Sequence, residues 1–159
     1  LDKKRKINLR LLALAIARQE GWFSKVTAPL SIPHRCNNPG NLRWAPLRFK
    51  QEGFYGRPGN QYIIFQDRFW GGAALLNDLR AKYLRSKIDG SSLTIKELIN
   101  IYCPAGDGAN DPFTYVNNIS RWLGVDPEYT IRNVFEDPGI IKGPWNTFPE
   151  PGPHKSFSK

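Results

Sequence analysis

Between Ile7 and Glu20 the chain is apolar on nearly every side of a helix, and the run then ends abruptly. Leu9, Leu12, Ala13 and Ile16 recur at helical spacing, while Ala13, Ala15 and Ala17 are small enough to let neighbouring helices come close. Such a helix must be surrounded by the rest of its domain, so the fold has to be built around it. Glu20 falls on the same face, four residues beyond Ile16. Gly21 breaks the helix, and Trp22 and Phe23 follow. A carboxyl group on an apolar face against aromatic rings loses hydration when charged, which raises its proton affinity towards the range useful to a general acid. The same spacing also admits a plain helix-end glutamate whose head reaches water.

Downstream the helical period disappears. Pro29, Pro33, Pro39, Pro46 and Pro58, with recurring glycines, predict a loop-rich lobe from Ser24 to Gln61. Within it lies Asn37-Asn38-Pro39-Gly40-Asn41, in which Pro39 and Gly40 fit the two central positions of a type II turn. Short strands are expected over Leu42–Trp44 and Gln61–Phe65, the second preceded by a turn at Arg57-Pro58-Gly59-Asn60. Helical spacing returns from about Phe69 to Arg85, with Asp67 as N-cap, and Gly71-Gly72 in its first turns suggests close backbone packing. Thr94 and Glu97 form a capping-box pattern for a short helix that Pro104 ends. Pro112 opens another helix with Tyr115, Val116, Ile119, Trp122 and Leu123 on its apolar face, and Gly124 stops it. A last helical segment is expected over Pro127–Phe135. The expected class is α+β, mainly α-helical, with a small β/loop lobe inserted after the first helix and a cleft between lobes. Residues 1–136 would form the domain and 137–159 a Pro/Gly-rich arm.

Charge narrows the partners. With 23 Lys and Arg against 14 Asp and Glu, the formal charge is +9, which suits nucleic acid, an anionic membrane or an acidic cell wall. The basic residues are dispersed beyond Lys3–Lys6, and no nucleic-acid-binding motif is present, so nucleic acid is not the expected partner. No run of apolar residues is long enough to span a membrane. The two cysteines, Cys36 and Cys103, could bridge if their loops meet, or remain as buried thiols. No Cys or His pair has ligand-like spacing, so no metal or other cofactor is expected. His34, alone in a loop, reads as a surface or packing residue before it reads as a base.

Glycine-rich phosphate loops, H-E-x-x-H and G-x-S-x-G are all missing from the sequence. What remains is Glu20 together with the Asn-rich turn, since amides can hold acetamido and hydroxyl groups while an acid protonates a glycosidic oxygen. An apolar helix ending in Gln19-Glu20-Gly21-Trp22-Phe23, a loop, and then Asn37-Asn38-Pro39-Gly40-Asn41-Leu42-Arg43 resembles the lysozyme-like superfamily. The likeness is greatest to the short lytic transglycosylase and muramidase-like domains of phage and bacterial wall-degrading proteins. It continues through Tyr62-Ile63-Ile64-Phe65, the helix at Gly72–Leu76, Thr94 to Tyr102-Cys103-Pro104, and Tyr115 to Pro127. It departs from the larger transglycosylase families at Gly21, where Ser usually follows the glutamate, and in lacking a Gly-Leu-Met-Gln element.

The resemblance implies a two-lobed fold, no cofactor, and a peptidoglycan-cleaving glycosidase with Glu20 as catalytic acid/base. Asn38 and Asn41 would lie at the floor of a saccharide groove, and Tyr62, Tyr102 and Tyr115 would orient the acid or the sugar. Hydrolysis by inversion or through a covalent intermediate needs a second carboxylate. Glu52 reads as a loop residue, Asp67 as an N-cap and Asp78 as a helix-surface residue, so a single acid/base points to a lytic transglycosylase cutting the MurNAc–GlcNAc β-1,4 bond, with a lysozyme or muramidase-type hydrolase as the near alternative. The implied partner is the peptidoglycan glycan strand, bound by a monomer in the periplasm, the cell wall or a phage virion. The alternative is a non-catalytic wall-binding or virion structural module with the same fold.

Overall fold

The structure, a computed structural model, describes residues 7–43, 54–56, 62–86, 93–105, 111–131 and 143–153. It is mainly helical, with α1 (Leu9–Gln19), α2 (Ile32–Arg35), β1 (Phe54–Gly56), β2 (Ile64–Phe65), α3 (Arg68–Ser86), α4 (Ile95–Tyr102) and α5 (Pro112–Leu123). Glu52, the turn expected at 57–60 and the boundary expected at 136/137 lie outside the described residues. Among the described residues no helix is long and apolar enough to cross a membrane. The chain divides into two compact units, one of Leu1–Ala15 with Asp78–Ile140 and one of Ile16–Asn77 with Ile141–Lys159.

In the first unit α4 packs on α5. Both begin as their sequences dictate. The Thr94 hydroxyl accepts from the Glu97 N–H, and the Asp111 carboxylate accepts from the Thr114 N–H at 3.1 Å and from its hydroxyl at 2.6 Å. These bonds, the Thr114 hydroxyl first, hold the exposed Asp111 carboxyl below its usual carboxylate range. Gly124 ends α5 in the left-handed region at φ 69°, its N–H reaching the Arg121 and Ser120 carbonyls. Leu79, Tyr83, Ile95, Leu98, Ile99, Ile119 and Ile131 are buried, and the Tyr83 hydroxyl donates to the Ile131 carbonyl at 2.8 Å.

The segment expected as a last helix differs. Asp126–Tyr129 is a turn closed by Tyr129 N–H to the Asp126 carbonyl, and the following backbone pairs with residues 93–95 through Ile95 N–H to Tyr129 O and Ile131 N–H to Leu93 O. Pro127 starts a turn here, and the neighbouring backbone offers partners that compete with a short helix. Residues 132–135 lie outside the described part.

In the second unit β1 and β2 form an antiparallel ribbon with an irregular register; β2 lies within the strand expected over Gln61–Phe65, while the one expected over Leu42–Trp44 is, among its described residues, a bridge from Arg43 to Tyr62. A single helical turn, α2, lies where the sequence shows no period, because four residues are too few to display one. The core of this unit is Ile16, Trp22, Ile63, Phe65, Leu75 and Phe148. Phe148 belongs to the segment read from sequence as an arm. Residues 143–153 are instead fastened to the unit by Trp145 N–H to Phe69 O, Arg68 Nε to Phe148 O, Trp22 Nε1 to Pro149 O and Gly152 N–H to Trp22 O. Phe148 packs edge-on to Trp145 and tilted on Trp22, and a Cβ on Gly72 would lie 2.5 Å from its ring.

Candidate active site

Glu20 owes its place to how α1 ends. Trp22 N–H bonds back to the Ala17 carbonyl and Gly21 N–H to the Arg18 carbonyl, with Gly21 left-handed at φ 95°. This is the Schellman pattern, in which only glycine adopts the left-handed position without strain, and it makes Glu20 the C-cap residue. Its own N–H still bonds to Ile16 O at 2.9 Å. Glu20 is half-buried, and Trp22, two residues on, is wholly buried. Trp22 ties the helix end down, because its carbonyl accepts from Gly152 N–H and from His34 Nε2, and its ring meets His34 edge-on. A carbonyl only accepts, so His34 Nε2 is the donor in this bond and the ring serves as a packing tie.

The Asn-rich turn meets the acid directly. Asn41 Nδ2 donates to Glu20 Oε2 at 2.8 Å, a charge-assisted length. Helix C-termini carry exposed carbonyl ends that disfavour a neighbouring anion. The Asn41 donor acts in the opposite sense and supports the carboxylate. Asn41 N–H closes the turn on the Asn38 carbonyl at 3.1 Å, with Pro39 and Gly40 in the middle. The left-handed residue is Asn41 itself at φ 48°, not Gly40, so the turn is not the type II turn that Pro-Gly suggests. Asn tolerates this conformation better than most residues.

Each asparagine of the turn has its own job. Asn37, also at φ 48°, donates from Nδ2 to the Phe65 carbonyl. Asn38 is completely buried. Its Nδ2 donates to the carbonyls of Leu42 and Ile63, and its Oδ1 accepts from Leu42 N–H, all at 2.9–3.0 Å. The side chain of Asn38 therefore holds the loop together, whereas that of Asn41 faces the acid. Behind the turn, α3 comes so close that a Cβ on Gly71 would lie 1.9 Å from the Asn37 carbonyl oxygen and 2.9 Å from Pro39 Cδ. The paired glycines thus mark close packing, as their cost in a helix suggests.

The tyrosines fall apart from this pair in the chain. Tyr62 is half-buried beside Arg43 in the second unit. Tyr102 and Tyr115 belong to the first unit, with ring centroids 6.4 Å apart. Lys82 Nζ stands 5.6 Å from the Tyr102 ring and 2.5 Å from Asp78 Oδ2. Asp78, read from sequence as a surface residue, has a side chain only 9 % exposed and paired with Lys82 one turn on. The i, i+4 opposite charges were the available signal, and helical phase alone was too coarse to show the burial. Asp67 Oδ1 accepts from the N–H groups of Phe69 and Trp70 and caps α3 as expected. Cys36 and Cys103 are both buried thiols. Among the described residues no group of His, Cys, Asp and Glu could hold a metal ion.

Compared with protein-family models, with curated proteins and with solved structures, the chain matches none.

Proposed function

We propose that this chain is a peptidoglycan-cleaving glycosidase, a lytic transglycosylase acting on the MurNAc–GlcNAc β-1,4 bond, with a lysozyme-like two-lobed fold and Glu20 as its single acid/base. The observation that carries the reading is the Glu20 carboxyl, fixed at a helix C-cap and held at 2.8 Å by the amide of Asn41. A lone surface glutamate has no need of a dedicated amide on a turn packed this tightly. The order of motifs along the chain supports the same reading, and the +9 charge suits an anionic wall.

In the proposed reaction the Glu20 carboxyl gives its proton to the glycosidic oxygen as the C1–O bond of MurNAc breaks. The N-acetyl carbonyl oxygen of the same sugar supports C1. The Glu20 carboxylate then takes the proton of the MurNAc 6-hydroxyl as that oxygen bonds to C1, which leaves a 1,6-anhydro end and consumes no water. A second carboxylate is not required. Asp67 is occupied in capping and Asp78 in an ion pair, in keeping with a solitary acid/base. Such a protein works outside the cytoplasmic membrane or on a virion.

Turbidity clearing of purified cell walls tests the proposal. The wild-type chain should clear them and Glu20→Gln should not, with anhydro-muropeptides seen by mass spectrometry. Reducing MurNAc ends in their place would make the enzyme a hydrolase. A wild-type chain that binds walls without clearing them would leave the non-catalytic module.

A further inference from the structure

The 2.8 Å bond from Asn41 Nδ2 reaches one oxygen of the Glu20 carboxyl, Oε2. That asymmetry matters once the group is protonated. A carboxyl places its proton on one oxygen and keeps the other as a pure acceptor, and the pure acceptor is the better partner for an N–H donor. With Asn41 at Oε2, the proton therefore lies on Oε1. When the proton leaves, the bond to Oε2 persists and gains strength from a charged acceptor. One fixed amide thus serves both states of the acid.

The Asn41 side chain has no second duty that would blur this role. Its Oδ1 meets no hydrogen-bond partner among the described residues. The loop is fastened instead by the three bonds of Asn38. The Asn41 backbone N–H, which closes the turn on the Asn38 carbonyl, does not depend on the side chain. A reversed amide would set Oδ1 against Oε2, two acceptors that repel when Glu20 is ionised.

Resting on the glycosidase reading above, we propose that Asn41 is a positioning residue that makes Oε1 of Glu20 the single oxygen for both proton transfers. Oε1 gives its proton to the glycosidic oxygen as the C1–O bond breaks. The same Oε1 takes the proton of the MurNAc 6-hydroxyl as that oxygen bonds to C1. One oxygen is enough, because a 1,6-anhydro ring made from a β-linked sugar has its new C1–O bond on the face that the leaving oxygen vacates. The carboxyl need not turn between the steps, and the amide at Oε2 holds it still.

The test compares wild type, Asn41→Gly and Asn41→Asp on purified cell walls, with melting temperature as a check on folding. Asn41→Gly keeps the left-handed backbone at φ 48° and removes the amide. Its kcat should fall about tenfold, the worth of one hydrogen bond, with KM within about twofold. The basic limb of kcat/KM reports the acid of the free enzyme. Loss of the donor should carry that limb up by about one pH unit. Asn41→Asp is nearly isosteric, sets a second carboxylate against Oε2, and should carry the limb at least as far. Infrared spectra below the limb, each minus its Glu20→Gln counterpart, isolate the protonated carboxyl. Its C=O stretch should lie lower in wild type than in Asn41→Gly, where Oε2 has lost its donor. A merely structural role would lower the melting temperature and leave limb and band in place. A limb unmoved in both variants, a band at the same frequency, or a raised KM with unchanged kcat would overturn the proposal. A wild-type chain without clearing activity removes the glycosidase reading and this inference with it. An active wild type with an inactive Glu20→Gln keeps that reading, and the Asn41 variants then decide the inference alone.

Discussion

Replacing Gly71 by Ala sets two physical effects against each other, and the structure says which wins. In an exposed helix the change stabilises by about 1 kcal/mol, because Ala gives up less backbone entropy. Here the added methyl carbon would lie 1.9 Å from the Asn37 carbonyl oxygen, when ordinary contacts begin at 3.4 Å. The loop or the helix must therefore retreat by about 1.5 Å. The obstacle is backbone and cannot swing aside as a side-chain end would, and Asn38 pins it with three buried bonds. Overpacking of this kind costs about 1–3 kcal/mol. Taking the upper end for a backbone obstacle and subtracting the propensity gain leaves a net loss of about 2 kcal/mol. In a chain of this size that lowers the melting temperature by about 4–8 °C. The displaced turn also carries Asn41, so the 2.8 Å bond to Glu20 should be lost, and under the proposed function wall clearing should fall by more than the stability loss explains. Calorimetry or thermal circular dichroism measures the first effect and turbidity the second. Gly143→Ala is the control, since a Cβ there meets nothing within 4 Å and should change the melting temperature little. A Gly71→Ala protein as stable as wild type, or more so, would refute the packing argument outright.

Two further outcomes follow from other parts of the chain. Phe148→Ala empties a site only 1 % exposed, between Trp22 and Trp145, and should cost about 3–5 kcal/mol in denaturant unfolding; a loss below about 1 kcal/mol would mean that residues 143–153 are no part of the core. The Asp111 carboxyl, held low by Thr114, adds stability that is complete above the ordinary carboxylate pKa and fades as pH falls through the lowered value. Asp111→Asn should therefore flatten the acid side of a stability-against-pH curve and leave any region above neutral pH with the same slope; an unchanged acid limb would remove this cap from the account.

What could be read from the sequence follows the range of the forces involved. Asp67, Thr94, Pro112 and Gly124 act on residues within one turn of themselves, and all four helix-boundary signals operate as their chemistry demands. Gly21 belongs with them, since its Schellman bonds reach only to Ala17 and Arg18. The segment after Asp126 failed as a helix because its backbone found partners at residues 93–95, some thirty positions away. Residues 143–153 were equally illegible. Trp145, Phe148 and Gly152 are tied to Phe69 and Trp22, and nothing in a Pro/Gly-rich composition reveals partners so distant in sequence. Asp78 was misjudged for a related reason, because its burial depends on what lies over the helix and not on the helix itself.

The Asn-rich turn shows the same limit at the scale of single atoms. Three asparagines within five residues, identical in composition, end up as a strand tie, a buried fastener and the partner of an acid. Sequence supplies the residue type that tolerates a left-handed backbone at positions 37 and 41, which is why two of the three are there. Which amide meets Glu20 is decided by the turn, and the turn is decided by Gly71, since any side chain at that position would push the Asn37 carbonyl away. The placement of the candidate acid thus rests on two glycines with opposite uses. Gly21 supplies a backbone angle that ends α1 with Glu20 at its cap, and Gly71 supplies the missing side chain that lets the turn seat itself. Glu20 is consequently sensitive to a residue fifty positions away that carries no chemistry of its own, and Gly71→Ala is a more searching test of the site than most substitutions that touch it.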